Sequence, residues 1–140
     1  MIRFYFKKLV RDNVVPNCLN DPEVATTQFR VMDGNEYFRA LIQKVTEEAN
    51  EIPIDSREEA LHELADVQSV VDALRDYFGF SKQELRDAVM KKAEAKGEFK
   101  KHHYMEFVDL EDDSAWVEVF RKQPHKYIEE QLQPETAGQE

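Results

Sequence analysis

Glu47-Glu48-Ala49-Asn50-Glu51-Ile52-Pro53-Ile54-Asp55-Ser56-Arg57-Glu58-Glu59-Ala60-Leu61-His62-Glu63-Leu64-Ala65-Asp66 is the stretch from which the fold is read. Two acidic runs flank a break. Pro53 lacks an amide donor and disfavours helical geometry in the residue before it, so a helix arriving from the left must stop there. Ser56 followed by Glu59 has the form of a capping box, in which the serine oxygen accepts from the third amide of the helix and the glutamate reaches back. A second helix therefore starts at about Arg57.

The same device recurs at Asp33-Gly34-Asn35-Glu36 and Ser81-Lys82-Gln83-Glu84. Each opens an apolar run of helical period. The first helix is predicted over about Asn35–Glu51, with Phe38, Leu41, Ile42, Val45, Ala49 and Ile52 on one stripe. The second is predicted over about Arg57–Phe78, with Leu61, Leu64, Val67, Val71, Leu74 and Phe78 inward and Gly79 as a left-handed stop. The third is predicted over about Lys82–Lys96, with Leu85, Ala88, Val89 and Ala93 inward and Gly97 after it. Short connections predict that consecutive helices pack antiparallel. The fold class expected is all-α, an antiparallel helical bundle with short extended segments near the N-terminus. Those segments are Ile2–Phe6 and Thr26–Met32, aromatic and β-branched enough to pair. Lys8–Val15 reads as a short helix stopped near Pro16. Ser114–Lys122 and Lys126–Leu132 read as short amphipathic helices separated by Pro124. Residues 134–140 have no large apolar side chain and read as a disordered tail.

The chain has 140 residues and a formal charge of −10, from 19 Lys and Arg against 29 Asp and Glu. The length suits one domain with a core of its own. The acidity argues against a nucleic-acid binder, since phosphate backbones are repelled over long range. It leaves room for a small nucleotide, because a divalent cation inverts the local field of an acidic pocket. Cys18 is the only cysteine, so no intramolecular disulfide forms. No apolar run is long enough for a signal peptide or a bilayer span. The expectation is an intracellular, cytoplasmic protein with no membrane partner.

The acids carry the chemistry. Residues three apart are neighbours on a helix, so Glu48 pairs with Glu51, and Glu63 with Asp66. Antiparallel packing brings the end of the first helix beside the early turns of the second, and both pairs converge. Like charges so placed destabilise the fold unless they fan into solvent or hold a hard cation. Mg²⁺ takes oxygen ligands and phosphate co-ligands. A single E-x-x-E pair is ordinarily a solvated helix face; two at facing helix ends carry more weight.

At this point the sequence resembles a known family. E-E-x-x-E followed by E-x-x-D on the next helix is similar to the all-α NTP pyrophosphohydrolase superfamily, which includes MazG-like proteins and phosphoribosyl-ATP pyrophosphohydrolase. Lys8-Leu9-Val10-Arg11-Asp12 resembles the opening motif of a MazG-like subgroup. Lys92-Ala93-Glu94-Ala95-Lys96-Gly97-Glu98-Phe99 resembles a later one, with Lys96 where arginine is common. The likeness runs from about Lys8 to Met105. It implies that residues 1–110 form the MazG-like domain and residues 111–133 a helical extension. It implies Glu48, Glu51, Glu63 and Asp66 as ligands of Mg²⁺, with Mn²⁺ as the alternative ion. It also implies Glu47 and Glu48 as the catalytic carboxylates, and Lys8, Arg11, Lys92 and Lys96 as phosphate-binding cations. The activity implied is hydrolysis of a nucleoside triphosphate to the monophosphate and pyrophosphate, as house-cleaning of non-standard or surplus nucleotides, by a homodimer or homotetramer. Phosphoribosyl-ATP pyrophosphohydrolase is the nearest alternative, and a non-catalytic helical interaction protein the alternative of another class.

Other residues weigh less. Glu59-Ala60-Leu61-His62 has the E-x-x-H spacing of di-iron bundles, but those need it twice. His102 and His103 are adjacent, and adjacent side chains on regular structure diverge. Cys18 has no evident activating neighbour. Trp116 suits packing better than base stacking. Asp109-Leu110-Glu111-Asp112-Asp113 does not follow the order of an EF-hand loop.

Overall fold

A computed structural model describes residues 1–132. Five helices succeed one another: α1 (Val14–Asn20), α2 (Gly34–Glu51), α3 (Arg57–Tyr77), α4 (Lys82–Lys96) and α5 (Ala115–Arg121). No strand forms among the described residues. Packing divides the chain into two units, Met1–Gly97 and a second beginning at Glu98. No helix is long and apolar enough to cross a membrane. The anticipated tail at 134–140 lies outside the described residues.

The first unit is built on the antiparallel hairpin of α2 and α3, the one helix pair in extensive contact among the described residues. Its ends follow from local chemistry. Asp33 accepts from the amide of Glu36 at 2.8 Å, and Ser56 accepts from that of Glu59 at 3.3 Å. Of the anticipated capping boxes, Ser81 and Glu84 close both halves, with return bonds of 3.1 and 2.7 Å. Glu36 does not reach back, because its carboxylate is held by Arg30. At the other end of α2, Ile52 turns extended before Pro53, with ψ at 112°. Gly79 takes φ of 75° just past α3, a conformation that L side chains rarely adopt.

Leu41 on α2 and Val70 on α3 are the buried apolar residues. Away from the α2–α3 turn, an aromatic group closes the hairpin. Phe38 stacks on Tyr77 at 5.2 Å between centroids and meets the edge of Phe78 at 5.8 Å. Such pairs add about 0.5–1.5 kcal/mol beyond area burial.

Several expectations are corrected. Ile2–Phe6 and Thr26–Met32 form no ladder and run as irregular chain. The short N-terminal helix is displaced: α1 starts at Val14 and passes through Pro16. Pro16 lies in the first turn, where amides have no intrahelical acceptor and a missing donor costs nothing. The apolar stripes are only partly covered: Ile42, Leu61, Leu64 and Phe78 remain exposed. On α4, Leu85 and Ala93 are half-buried while Ala88 and Val89 face out, so this helix has no buried residue. Its short connection to α3 did not make it a packed neighbour.

In the second unit Ser114 caps α5, accepting from the amide of Trp116 at 3.3 Å. Phe120 packs on Tyr127 at 4.6 Å and on Trp116 at 5.9 Å. Lys126–Leu132 is irregular rather than helical. It is held back on α5 by a two-pronged pair, Arg121 Nε to Glu129 Oε2 at 2.8 Å and Nη2 to Oε1 at 2.6 Å.

Candidate metal centre

Glu48 lies one turn from the end of α2, and Glu63 and Asp66 lie on consecutive turns of early α3. Antiparallel pairing sets these levels beside each other. One carboxylate oxygen from each of Glu48, Glu63 and Asp66 lies within 4.8 Å of the others. Glu48 is buried, at 7% exposure, and Glu63 and Asp66 are half-buried. Glu51, anticipated as the fourth member, is exposed and stands outside the trio. It is still close enough that its charge acts on Glu63.

Glu63 is the least satisfied of the group. Its Oε2 is buried without a hydrogen-bond partner among the described residues. Burial raises the pKa of Glu63 above its usual 4.5, and the charges of Glu51, Asp66 and Glu48 raise it further, slightly opposed by His62.

Glu47, Glu48 and Asp66 each have a cation. Lys8 donates to Glu47 at 3.1 Å, and Lys44 reaches the same oxygen at 3.5 Å. The hydrogen bond from Lys8 dominates in holding Glu47 below the usual carboxylate range. Lys44 also meets Glu48 at 2.5 Å. Burial alone would lower the Lys44 ammonium, but the bond and charge of Glu48, aided by Glu47, raise it overall. Arg11 pairs with Asp66. Lys8 and Arg11, named from the sequence as phosphate-binding residues, are thus brought to the acids across 39 and 55 positions of chain. Lys92 and Lys96 are exposed on α4 and form no ion pair among the described residues.

Lys44 was not singled out from the sequence. Its signal was available: a lysine three and four positions before consecutive glutamates shares their side of a helix. Arg39, Ile42, Gln43, Thr46, Glu47 and Asn50 line a shallow hollow beside the acids whose wall comes from α2 alone.

The trio suits a hard cation. Octahedral Mg²⁺ with oxygens at about 2.1 Å sets neighbouring ligand atoms roughly 3–4 Å apart, which is compatible with three oxygens that all lie within 4.8 Å of one another. A donor set made wholly of carboxylate oxygen suits hard cations such as Mg²⁺ and Mn²⁺ and not a softer metal.

No protein-family model, characterised protein or solved structure matches the chain.

Proposed function

We propose that the chain is a Mg²⁺-dependent nucleoside triphosphate pyrophosphohydrolase of the MazG-like type, releasing the monophosphate and pyrophosphate. The observation that carries the reading is the convergence of Glu48, Glu63 and Asp66, of which Glu63 also has an unpartnered Oε2. Glu48, Glu63 and Asp66 are the residues that would hold the ion, with Glu51 at the rim. Bound there, Mg²⁺ supplies charge neutralisation for the triphosphate and lowers the pKa of a coordinated water.

The chain's own residues do the rest. Glu47, which still faces Lys44 after Lys8 turns to phosphate, orients the attacking water and takes its proton. Lys8 and Arg11 are already at the acids and exchange their carboxylate partners for phosphate oxygens. Arg11 offers a planar fork suited to phosphate, and Lys8 a point charge. Lys92 and Lys96 enter the reading through the sequence motif alone, as cations for the leaving pyrophosphate. Water attack at the α-phosphorus breaks its bond to the bridging oxygen, and pyrophosphate departs with that oxygen.

A homodimer or homotetramer belongs to the same reading. Few apolar residues of the first unit are buried, while Ile42, Leu61, Leu64 and Val89 are exposed. Large exposed apolar area of this kind marks an interaction surface. The hollow beside Glu47 gains a second wall if another copy packs against α2. The nucleotide is accordingly read with its phosphates at the acids and its base toward that hollow.

The test is pyrophosphate release from a panel of nucleoside triphosphates, standard and non-standard, with Mg²⁺ and with chelator. Release that requires Mg²⁺ supports the reading. A panel without turnover at any metal concentration leaves a helical interaction protein in its place.

A further inference from the structure

We propose that Lys44 is a positioning residue for the acid centre, a resident counter-ion that holds Glu48 and Glu47 in their working orientation until metal shares the charge. The inference rests on the metal-centre reading above and adds to it a residue outside the ligand and phosphate sets.

Lys44 stands one turn before Glu48 on α2. Its side chain is 16% exposed and that of Glu48 is 9% exposed, so the pair sits far more deeply than Lys8–Glu47 or Arg11–Asp66. A buried lysine on a helix ordinarily runs its ammonium out to water along an apolar stem. Lys44 instead turns its Nζ onto Glu48 at 2.5 Å and Glu47 at 3.5 Å. Contact with both fixes the rotation of two consecutive carboxylates that helical geometry would otherwise splay apart. Without Lys44, Glu48 would be a buried carboxylate facing Glu63 and Asp66 with no cation of its own, since Arg11 is held by Asp66. Breaking such a pair by removing one partner is far costlier than removing both.

The consequence is a compensation between Lys44 and metal. In the metal-free chain Lys44 offsets the charge of Glu48. With Mg²⁺ bound, that offset is largely redundant, and what remains is orientation. Lys44 is also a like charge beside the incoming ion, so its removal strengthens metal binding while misaligning the carboxylates. The expected signature is tighter Mg²⁺ with slower turnover, which loss of packing alone does not give.

The experiment uses the full chain with K44M, K44R and the double variant K44M/E48Q. Thermal unfolding is followed in chelator and in saturating Mg²⁺, the affinity for Mg²⁺ alone by calorimetry, and turnover by pyrophosphate release. K44M should unfold at lower temperature in chelator and recover most of the loss in Mg²⁺. It should bind Mg²⁺ on the order of tenfold more tightly, and turn over about 10–100-fold more slowly at saturating metal. K44R should resemble the wild type in all three. The double variant should be more stable in chelator than K44M, since its buried charge is gone; if K44M does not fold, recovery of folding in the double variant is the same result. Equal destabilisation of K44M with and without Mg²⁺, unchanged or weaker metal affinity, failure of K44R to rescue, or a double variant no better than K44M overturns the proposal. A wild-type chain that Mg²⁺ neither binds nor stabilises overturns the metal reading itself, a result told apart because it involves no variant.

Discussion

Arg11 donates from Nη2 to Oδ1 of Asp66, 55 positions further along the chain, and so ties the irregular N-terminal stretch to α3. Both partners are substantially exposed, at 60% and 39%, so the pair contributes only about 0–1 kcal/mol to global stability. Its local effect is larger, because it and Lys8–Glu47 are the ion pairs anchoring that stretch among the described residues. Arg11→Gln is therefore expected to leave the unfolding midpoint nearly unchanged while speeding amide exchange around Leu9–Val15. If Arg11 also meets phosphate, kcat/KM for the nucleotide falls by about a hundredfold. Exchange rates identical to wild type would show that the pair does not hold the segment.

Removing the acids separates ligand from scaffold. Glu48→Gln and Asp66→Asn keep size and shape, and α2 and α3 retain their caps at Asp33 and Ser56. Helical circular dichroism is expected to be unchanged. Pyrophosphate release should fall by more than about a hundredfold, the upper end for groups that merely support a metal ligand. Asp66→Asn should also loosen the N-terminal stretch, as Arg11→Gln does, whereas Glu48→Gln should not. Turnover persisting in both variants would remove these carboxylates from the site.

Helices α2, α3 and α4 were legible because their ends are set locally. Ser81 with Glu84 and Gly97 bracket α4 over the predicted Lys82–Lys96. Pro53 and Ser56 bracket the α2–α3 turn, and that turn brings Glu48 to the level of Glu63 and Asp66. What covers a helix is not a local property. Ala88 and Val89 follow the apolar period yet lie exposed, since periodicity marks a face without naming its partner. Pro16 misled because a proline costs a donor only after the first turn, and which residue opens α1 depends on the chain before it. Ile2–Phe6 has strand-like composition, but composition cannot supply a second strand to pair with. Lys44 escaped notice because a lysine near glutamates usually signifies a solvated pair, and only its depth in the packed hairpin distinguishes it.

Glu63 makes the metal-free chain sensitive to pH. Its pKa is raised in the folded state above the usual 4.5 by its own burial first, then by the charges of Glu51, Asp66 and Glu48. A raised folded pKa means that the native state binds the proton more tightly than the unfolded chain does. The stabilisation is complete below 4.5 and is lost as pH climbs through the folded value. In chelator, Glu63→Gln should remove this part of the pH dependence and raise the urea midpoint at pH 7. Mg²⁺ acts in the opposite sense, since the ion needs the carboxylate deprotonated, and its affinity for the wild-type chain should weaken on acidification. Parallel pH curves for wild type and Glu63→Gln in chelator would show that the carboxylate is not strained.

The second unit responds to acid through a different pair. Hydrogen bonding from Arg121, assisted by Gln131, holds Glu129 down to about 2. A depressed folded pKa gives a contribution that is present above the usual 4.5 and lost as pH falls through about 2. The pair joins α5 to the irregular chain after Tyr127, and Tyr127 packs on Phe120 within the same unit. Trp116 is the only tryptophan, and its ring lies 5.9 Å from that of Phe120. Its fluorescence therefore reports this unit alone. Trp116 is already exposed, so between pH 5 and pH 2 the wild-type signal should shift in emission intensity as its contact with Phe120 loosens. Glu129→Gln should already show much of that shift at pH 5 and change little on further acidification. A wild-type emission flat across the range would mean that Arg121 and Glu129 do not hold the aromatic group together.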